Sequence, residues 1–124
     1  MNKMNMNIWG REFELPVMIK QFNEKDLTET QEKAVEEFKH CESVVNAAKS
    51  EVEKYILENG LKENGIVEVD NIFKYLIPKS ISVPKSKERV VAILCNYKFD
   101  MEHGIAIIFE NEKLKDIGLQ DLIL

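Results

Sequence analysis

The chain has 124 residues, with 17 Lys and Arg against 22 Asp and Glu and a formal net charge of -5. This length predicts a single domain over residues 1–124. An apolar fraction of 44% and a charged fraction of 31% are ordinary for a soluble protein and exclude disorder throughout. Composition by itself names no activity.

Several classes of protein are excluded early. The longest uninterrupted apolar run, Val90 to Cys95, has six residues, whereas a membrane-spanning helix needs about 20. The segment Met1–Asn7 has neither an apolar core nor a small-residue cleavage site, so we expect no secretory signal and a cytoplasmic location. Cys41 and Cys95 lie far apart and form no CxxC pair, which predicts two buried free thiols.

The first predicted element is a strand over Glu12–Phe22. Its apolar residues alternate with polar ones, and a period of two is typical of a half-buried strand. Pro16 has no N–H to donate to a neighbouring strand, so we expect this strand to lie at an edge or to be interrupted.

An amphipathic helix is predicted over residues 30–59. Thr28 and Gln31 have the spacing of a capping box, and Gly60 provides a stop. Steps of 4 and 3 along one helical face separate the apolar residues Ala34, Phe38, Cys41, Val45, Ala48, Val52 and Tyr55. One straight helix of this length would span about 45 Å, so the alternatives are a continuous helix and one broken near Ser43–Asn46.

The last third of the chain is rich in strands. A short helix at Ile72–Leu76, ended by Pro78, precedes them. Tight turns join three predicted strands, Arg89–Phe99, Ile105–Phe109 and Leu114–Ile117, the first of which has the apolar run of a central strand. The fold class is therefore predicted as α+β with two layers: an antiparallel β-meander covered by the long amphipathic helix.

The turn Asp100–Gly104 is the densest cluster of catalytic-type residues. It places the carboxylates of Asp100 and Glu102 beside the imidazole of His103, with Gly104 closing the turn. Such groups could serve a metal-dependent enzyme, but Asp and Gly also shape turns, and the turn could equally contact a partner. The familiar phosphate, nucleotide and hydrolase motifs are absent, so we expect a non-enzymatic protein with no cofactor and no bound metal.

Charge is unevenly distributed along the chain. Residues 1–70 hold 15 acidic against 9 basic groups, and residues 71–124 hold 7 against 8. Nucleic acid binds basic surfaces, so it is not an expected partner. The basic cluster Lys85, Lys87 and Arg89 lies in a Pro/Ser-rich stretch and is interpreted as a solvated loop.

Acidic residues crowd the start of the predicted helix. Glu29, Glu32, Glu36 and Glu37 fit a solvated helical face, but they also fit a docking surface for a basic protein partner. Nucleases that act as toxins commonly have basic active sites, which an acidic face could block. These four residues are the predicted partner-binding set.

The sequence also resembles a family of small bacterial proteins of uncharacterised function. The most distinctive match is Asp100-Met101-Glu102-His103-Gly104-Ile105. Other matching positions are Trp9, the Phe13–Pro16 strand, Leu27-Thr28, Gln31, Ala34, Phe38, the Val52–Tyr55 helix end, Asn111, Lys115, Ile117-Gly118 and Asp121. The family usually has tryptophan immediately before the turn, where this chain has Phe99.

That resemblance implies an α+β fold and a bacterial cytosolic setting. Members of the family are often encoded beside polymorphic toxins and are regarded as immunity proteins. We therefore expect a protein that neutralises a basic toxin domain by binding it, as a monomer or a homodimer, with no membrane partner. The alternatives are a small metal-dependent enzyme centred on residues 100–104 and a homodimeric structural or regulatory module that uses the long helix.

Overall fold

Six strands form one mixed sheet in a computed structural model of the chain, which describes residues 3–19 and 29–120. In chain order, which is also their order in the sheet, the strands are β1 (Lys3–Ile8), β2 (Arg11–Ile19), β3 (Leu76–Val83), β4 (Val90–Tyr97), β5 (Ile105–Glu110) and β6 (Lys113–Gly118). The helices are α1 (Glu29–Phe38), α2 (Glu42–Ala47) and α3 (Lys49–Ile56). Neighbouring strands are antiparallel except β2 and β3, which are parallel.

The hairpin of β1 and β2 begins the sheet, and β1 was not predicted from the sequence. Met4, Met6 and Ile8 alternate with polar residues and are all buried, which is the period-two pattern of a half-buried strand. Trp9 and Gly10 form the two-residue turn, both with positive φ (53° and 89°). Such a turn matches the twist of the strands that it joins.

Pro16 marks the point at which β2 changes its partner. The strand pairs with β1 from Arg11 to Pro16 and with β3 only over Val17–Ile19. The missing N–H of Pro16 therefore falls between the two ladders. Of the two alternatives expected for this strand, the edge position is wrong, because β2 lies between β1 and β3, whereas its pairing is indeed interrupted at Pro16. Phe22, Leu27, Thr28 and Asp121, which the sequence analysis used, lie outside the described residues.

Strand β3 was missed because Pro78 lies inside it. A bulge between Pro78 and Ser80 shifts the register against β4, and a bulge is a place where a sheet tolerates proline. The predicted short helix is only a 3₁₀ turn, Ile72–Lys74, and the Asn71 side chain caps it by accepting from the Phe73 N–H at 3.1 Å.

The predicted architecture, one long helix covering an antiparallel meander, is wrong. The helical region breaks at Lys39–Cys41, outside the Ser43–Asn46 region where a break was considered. The longer helical body runs from Glu42 through α3 and two further turns to Asn64, and we call it the helical arm. The sheet is mixed because the chain from β2 to β3 crosses over and returns parallel. The α+β class itself holds.

The apolar stripe of the helical region is nevertheless correctly assigned to the core. All its members are buried except Tyr55, which is half-buried. Helix α1 packs on β3 and β4, whereas α2 contacts the two outermost strands, β1 and β6, so the sheet curves around it. A second, smaller cluster lies on the opposite face of β4 and β5, as expected for central strands: Val90, Ala92, Leu94, Ala106 and Ile108. Within the described ranges, no helix is long and apolar enough to cross a bilayer.

Side chains of α2 occupy the free edge of β1. The Asn7 N–H donates to Glu42 Oε2 at 2.8 Å, and the Trp9 N–H donates to Asn46 Oδ1 at 2.5 Å. Asn46 Nδ2 in turn donates to the Asn7 carbonyl at 3.3 Å, and Trp9 Nε1 donates to the Val45 carbonyl at 3.0 Å. We call this contact the edge clamp. At the other edge, the Asp116 carboxylate accepts from the Ile117 N–H at 2.8 Å.

Replacement of Asn46 by alanine tests the edge clamp. The change leaves the Trp9 N–H without its acceptor beside a backbone already at positive φ, so we expect the free energy of unfolding to fall by about 1–3 kcal/mol. Urea denaturation measures the loss. Ser43→Ala, on the exposed side of the same helix, is the matched control and should change stability by less than about 0.5 kcal/mol. Equal effects of the two substitutions would contradict a specific clamp.

Candidate functional site

Helix α1 brings three of the four predicted partner-binding residues together. Glu29, Glu32 and Glu36 are all exposed, and the helical period places them opposite the buried residues Ala34 and Phe38. We call these three residues the acidic face. On the buried side of α1, the Gln31 amide donates to the Val83 carbonyl at 3.2 Å and so holds the helix to β3.

Glu37, the fourth predicted residue, lies apart from the acidic face. It is half-buried and close enough to Cys41 and Arg89 to raise the pKa of both groups, although burial is the main cause for the Cys41 thiol and the Glu112 hydrogen bond the main cause for Arg89. The helical period thus divides a run of glutamates that the sequence alone treated as one surface.

Basic groups border the acidic face. Lys33 lies between Glu29 and Glu36 on the helical surface. A groove of about 210 Å³ separates the start of α1 from the loop that carries Lys87 and Arg89. The face therefore has mixed charge at its margin.

Arg89 is not a solvated loop residue as predicted. Its guanidinium donates to both carboxylate oxygens of Glu112, at 2.8 and 2.9 Å, and its backbone carbonyl accepts from the Asn111 N–H at 2.8 Å. Asn111 and Glu112 form the turn between β5 and β6 with φ of 51° and 63°, so Arg89 holds a strained hairpin turn in place.

Within the turn Asp100–Gly104, two of the three candidate catalytic groups bind each other. Asp100 Oδ1 accepts from the His103 N–H at 3.1 Å and lies 3.0 Å from His103 Nδ1. The Asp100 carbonyl accepts from the Gly104 N–H at 2.9 Å. These are the bonds of a side-chain-capped turn. Glu102 is exposed beside them.

Gly104 is required by the backbone that surrounds it. Its φ is +61°, and a Cβ at this position would lie 2.6 Å from the Cys95 carbonyl oxygen and 2.4 Å from Gln120 Nε2. The Gln120 amide itself donates to that Cys95 carbonyl at 3.1 Å. The most distinctive motif of the sequence thus has a structural explanation at Asp100 and Gly104.

The part of the chain that the structure describes contains neither a cluster of metal ligands nor an exposed thiol. No three His, Cys, Asp or Glu side chains come together there as metal ligands. Cys41 and Cys95 are buried and free, as predicted, and burial raises the pKa of each thiol. A protonated buried thiol is a poor nucleophile.

A groove that the sequence analysis did not anticipate lies between the helical arm and the Asp100–Gly104 turn. It has a volume of about 340 Å³, and we call it the turn groove. Its lining residues are Tyr55, Asn59, Gly60, Glu63, Asn64, Tyr97, Phe99, Asp100, Ile105 and Leu119. The signal in the sequence was weak, because these residues come from four separate segments.

Tyr97 forms the floor of the turn groove. Its hydroxyl donates to the Asn59 carbonyl at 3.0 Å, and burial raises its pKa to about 12. The arm kinks at Gly60 (φ +142°), where a Cβ would lie 2.3 Å from the Tyr97 hydroxyl oxygen. Gly60 therefore makes room for Tyr97, and the left-handed residue that ends the arm is Gly65 (φ +79°).

The requirement for glycine at position 104 can be separated from the cost of its backbone conformation. Gly65→Ala meets no atom within 4 Å and tests positive φ alone, for which we expect a loss of about 1 kcal/mol. Gly104→Ala adds the collision with the Cys95 carbonyl, so we expect a loss of more than about 2 kcal/mol. Thermal and urea denaturation measure both, and equal losses would contradict the close approach.

Asp100 should make stability depend on acid pH. The His103 N–H, and secondarily its ring, hold the pKa of the Asp100 carboxyl below its ordinary value. A carboxyl with a lowered folded-state pKa contributes stability above its unfolded-state pKa of about 3.9 and loses it as the pH falls through the folded-state value.

We therefore expect the stability advantage of the wild type over Asp100→Asn to shrink as the pH falls from about 5 through the folded-state pKa of Asp100. Urea denaturation at each pH measures it. Glu102→Gln is the matched control, because it removes a charge from the same turn but no acceptor for His103. An advantage over Asp100→Asn that is independent of pH would show that Asp100 carries no such linkage.

Comparison with known proteins gives a family but no activity. No curated protein and no solved structure matches the chain significantly. Residues 1–124 match the family described as a domain of unknown function, DUF6985. The match covers the entire chain, and the protein therefore belongs to the DUF6985 family.

Proposed function

We propose that the protein is a non-enzymatic binding protein of the cytoplasm, and specifically an immunity protein that blocks a cognate bacterial toxin. The observation that carries the proposal is the acidic face: Glu29, Glu32 and Glu36 project together from one exposed side of α1. The resemblance of the Asp100–Ile105 segment to presumptive immunity families adds the class of partner.

Blockade would be steric and electrostatic. An acidic surface attracts a basic active site over a distance of several ångströms, which accelerates encounter and selects against acidic partners. The net charge of -5 acts in the same direction. The Gln31 hydrogen bond to β3 helps to hold the α1 backbone that carries the three glutamates, so binding need not order this backbone.

The two alternatives have less support. In the enzyme hypothesis, the Asp100–His103 pair would act with a metal ion, but the described residues bring no third His, Cys, Asp or Glu side chain to it. The homodimer hypothesis uses the long helix, but the apolar residues Val45, Val52 and Ile56 of the helical arm are already buried in the core of the chain itself. Sedimentation at several concentrations distinguishes a monomer from a homodimer.

Charge reversal of the acidic face tests the proposed function. The triple variant Glu29→Lys, Glu32→Lys, Glu36→Lys should fold, because all three side chains are exposed. We expect it to lose co-purification with the toxin encoded beside its gene, and to lose protection of cells that express that toxin. Glu37 is left unchanged because it is half-buried beside Arg89.

The matched control reverses three exposed glutamates elsewhere: Glu12→Lys, Glu51→Lys and Glu68→Lys. It alters the net charge equally, so a loss in both variants would indicate a general charge effect. Unchanged protection by the α1 variant would overturn the assignment of this surface. Failure of the wild type to bind or neutralise the neighbouring toxin would overturn the immunity proposal itself.

A further inference from the structure

The turn groove differs in its charge from two other grooves of the described structure. The groove between α3 and β6, of about 370 Å³, contains Lys54 and Lys115 together with its acidic residues. The groove beside α1 contains Lys33, Lys87 and Arg89. The turn groove is lined by two carboxylates, Glu63 and Asp100, and its described lining includes no lysine or arginine.

Both carboxylates act on the interior of the turn groove. Each contributes to the raised pKa of Tyr97, after burial and the neighbouring Tyr55. Because Tyr97 is the floor of the groove, this effect means that the negative field of Glu63 and Asp100 extends into the cavity. Asp100 is anchored there by hydrogen bonds with His103, and an aspartate carboxyl is ionised at neutral pH.

Aromatic rings form the walls of the same groove. Phe99 packs edge-to-face against Tyr97, with 5.9 Å between ring centroids, and is stacked on Tyr75 at 6.2 Å. Tyr55 is half-buried on the opposite, helical side. The Lys98 ammonium already lies 5.8 Å from the Phe99 ring centroid, so this aromatic cluster has a cation beside it within its own chain.

We propose that the turn groove binds an arginine side chain of the protein partner. Aromatic walls with two carboxylates, and no lysine or arginine among the described lining residues, suit a guanidinium, which stacks on rings and donates to carboxylates through the same planar group. A cavity of about 340 Å³ is at the small end of ligand sites, which fits one side chain. This inference rests on the proposed function in one respect: the arginine is taken to come from a protein partner.

The turn groove adds an anchor that the acidic face lacks. The acidic face lies on the outer side of a helix and has Lys33 at its margin, so it can steer a partner but cannot enclose one of its side chains. A concave site that buries one arginine is the usual form of a dominant contact in a protein interface. In this arrangement, Phe99 and Asp100 contribute both to the turn and to binding.

Titration of the isolated ¹⁵N-labelled protein tests the site. We expect N-acetyl-arginine amide to shift the amide signals of Glu63, Asn64 and Asp100, and its neutral isostere, N-acetyl-citrulline amide, to bind at least about fivefold more weakly. Glu63→Gln should weaken arginine binding by about two- to fivefold. Glu58→Gln is the matched control, because Glu58 is exposed on the same arm but lines the neighbouring groove.

Equal binding of arginine and citrulline amides would overturn the cation site, as would equal effects of Glu63→Gln and Glu58→Gln. Shifts confined to α1 would also overturn it. The source of the arginine is tested in the toxin complex, where we expect Glu63→Lys to weaken binding at least about tenfold and Glu58→Lys to leave it unchanged. If arginine amide binds but Glu63→Lys leaves the complex intact, the assignment to a protein partner is wrong.

The arginine-amide titration can succeed or fail independently of the proposed function. Loss of protection on reversal of the acidic face, together with no binding of arginine amide, would leave the immunity proposal intact and remove this site. Arginine binding that depends on Glu63, in a protein that neutralises no toxin, would do the reverse.

Discussion

The parallel pairing of β2 with β3 is the constraint on which the rest of the structure depends. Parallel neighbours cannot be joined by a tight turn, so the chain must cross over before it can re-enter the sheet. In this protein the crossover contains every helix of the described residues, and their apolar stripe closes the main core. The crossover also places α1 over β3 and β4, and it brings the end of the helical arm to Tyr97. The acidic face and the turn groove both follow from this one connection.

The sequence predicts local features of the fold well and their assembly poorly. Strands β4 to β6 and the buried side of the helical region could be predicted from periodicity, because burial of one face determines the spacing of apolar residues along the chain. Strand β3 was not predicted because proline normally disrupts a strand. Here a bulge beside Pro78 accommodates it, and this bulge is a property of the pairing with β4, which the sequence of β3 alone does not show. Without β3, neither the mixed sheet nor the crossover could be deduced. The helix break at Cys41 was also invisible, because the apolar spacing continues across it.

The candidate site shows the same division. Exposure of Glu29, Glu32 and Glu36 could be derived from helical period alone. The Asp100–Gly104 motif was easy to find in the sequence. The reason why it needs Gly104 is the close approach of the Cys95 carbonyl and Gln120, which come from other segments. The turn groove combines residues from the arm, the ends of β4 and β5, and the residue after β6. No linear pattern encodes such a set, because it depends on the kink that Gly60 permits beneath Tyr97.

The edge clamp also bears on how the chain behaves at high concentration. An uncovered outer strand is a template on which another molecule can add its own strand, and this is a common route to aggregates and exchanged dimers. At the end of β1, Glu42 and Asn46 occupy the N–H and C=O groups of Asn7 and the N–H of Trp9, which such an addition would use. Asp116 covers a comparable amide on β6. At these positions another strand could add to the sheet only by displacing a side chain, which disfavours self-association at high protein concentration.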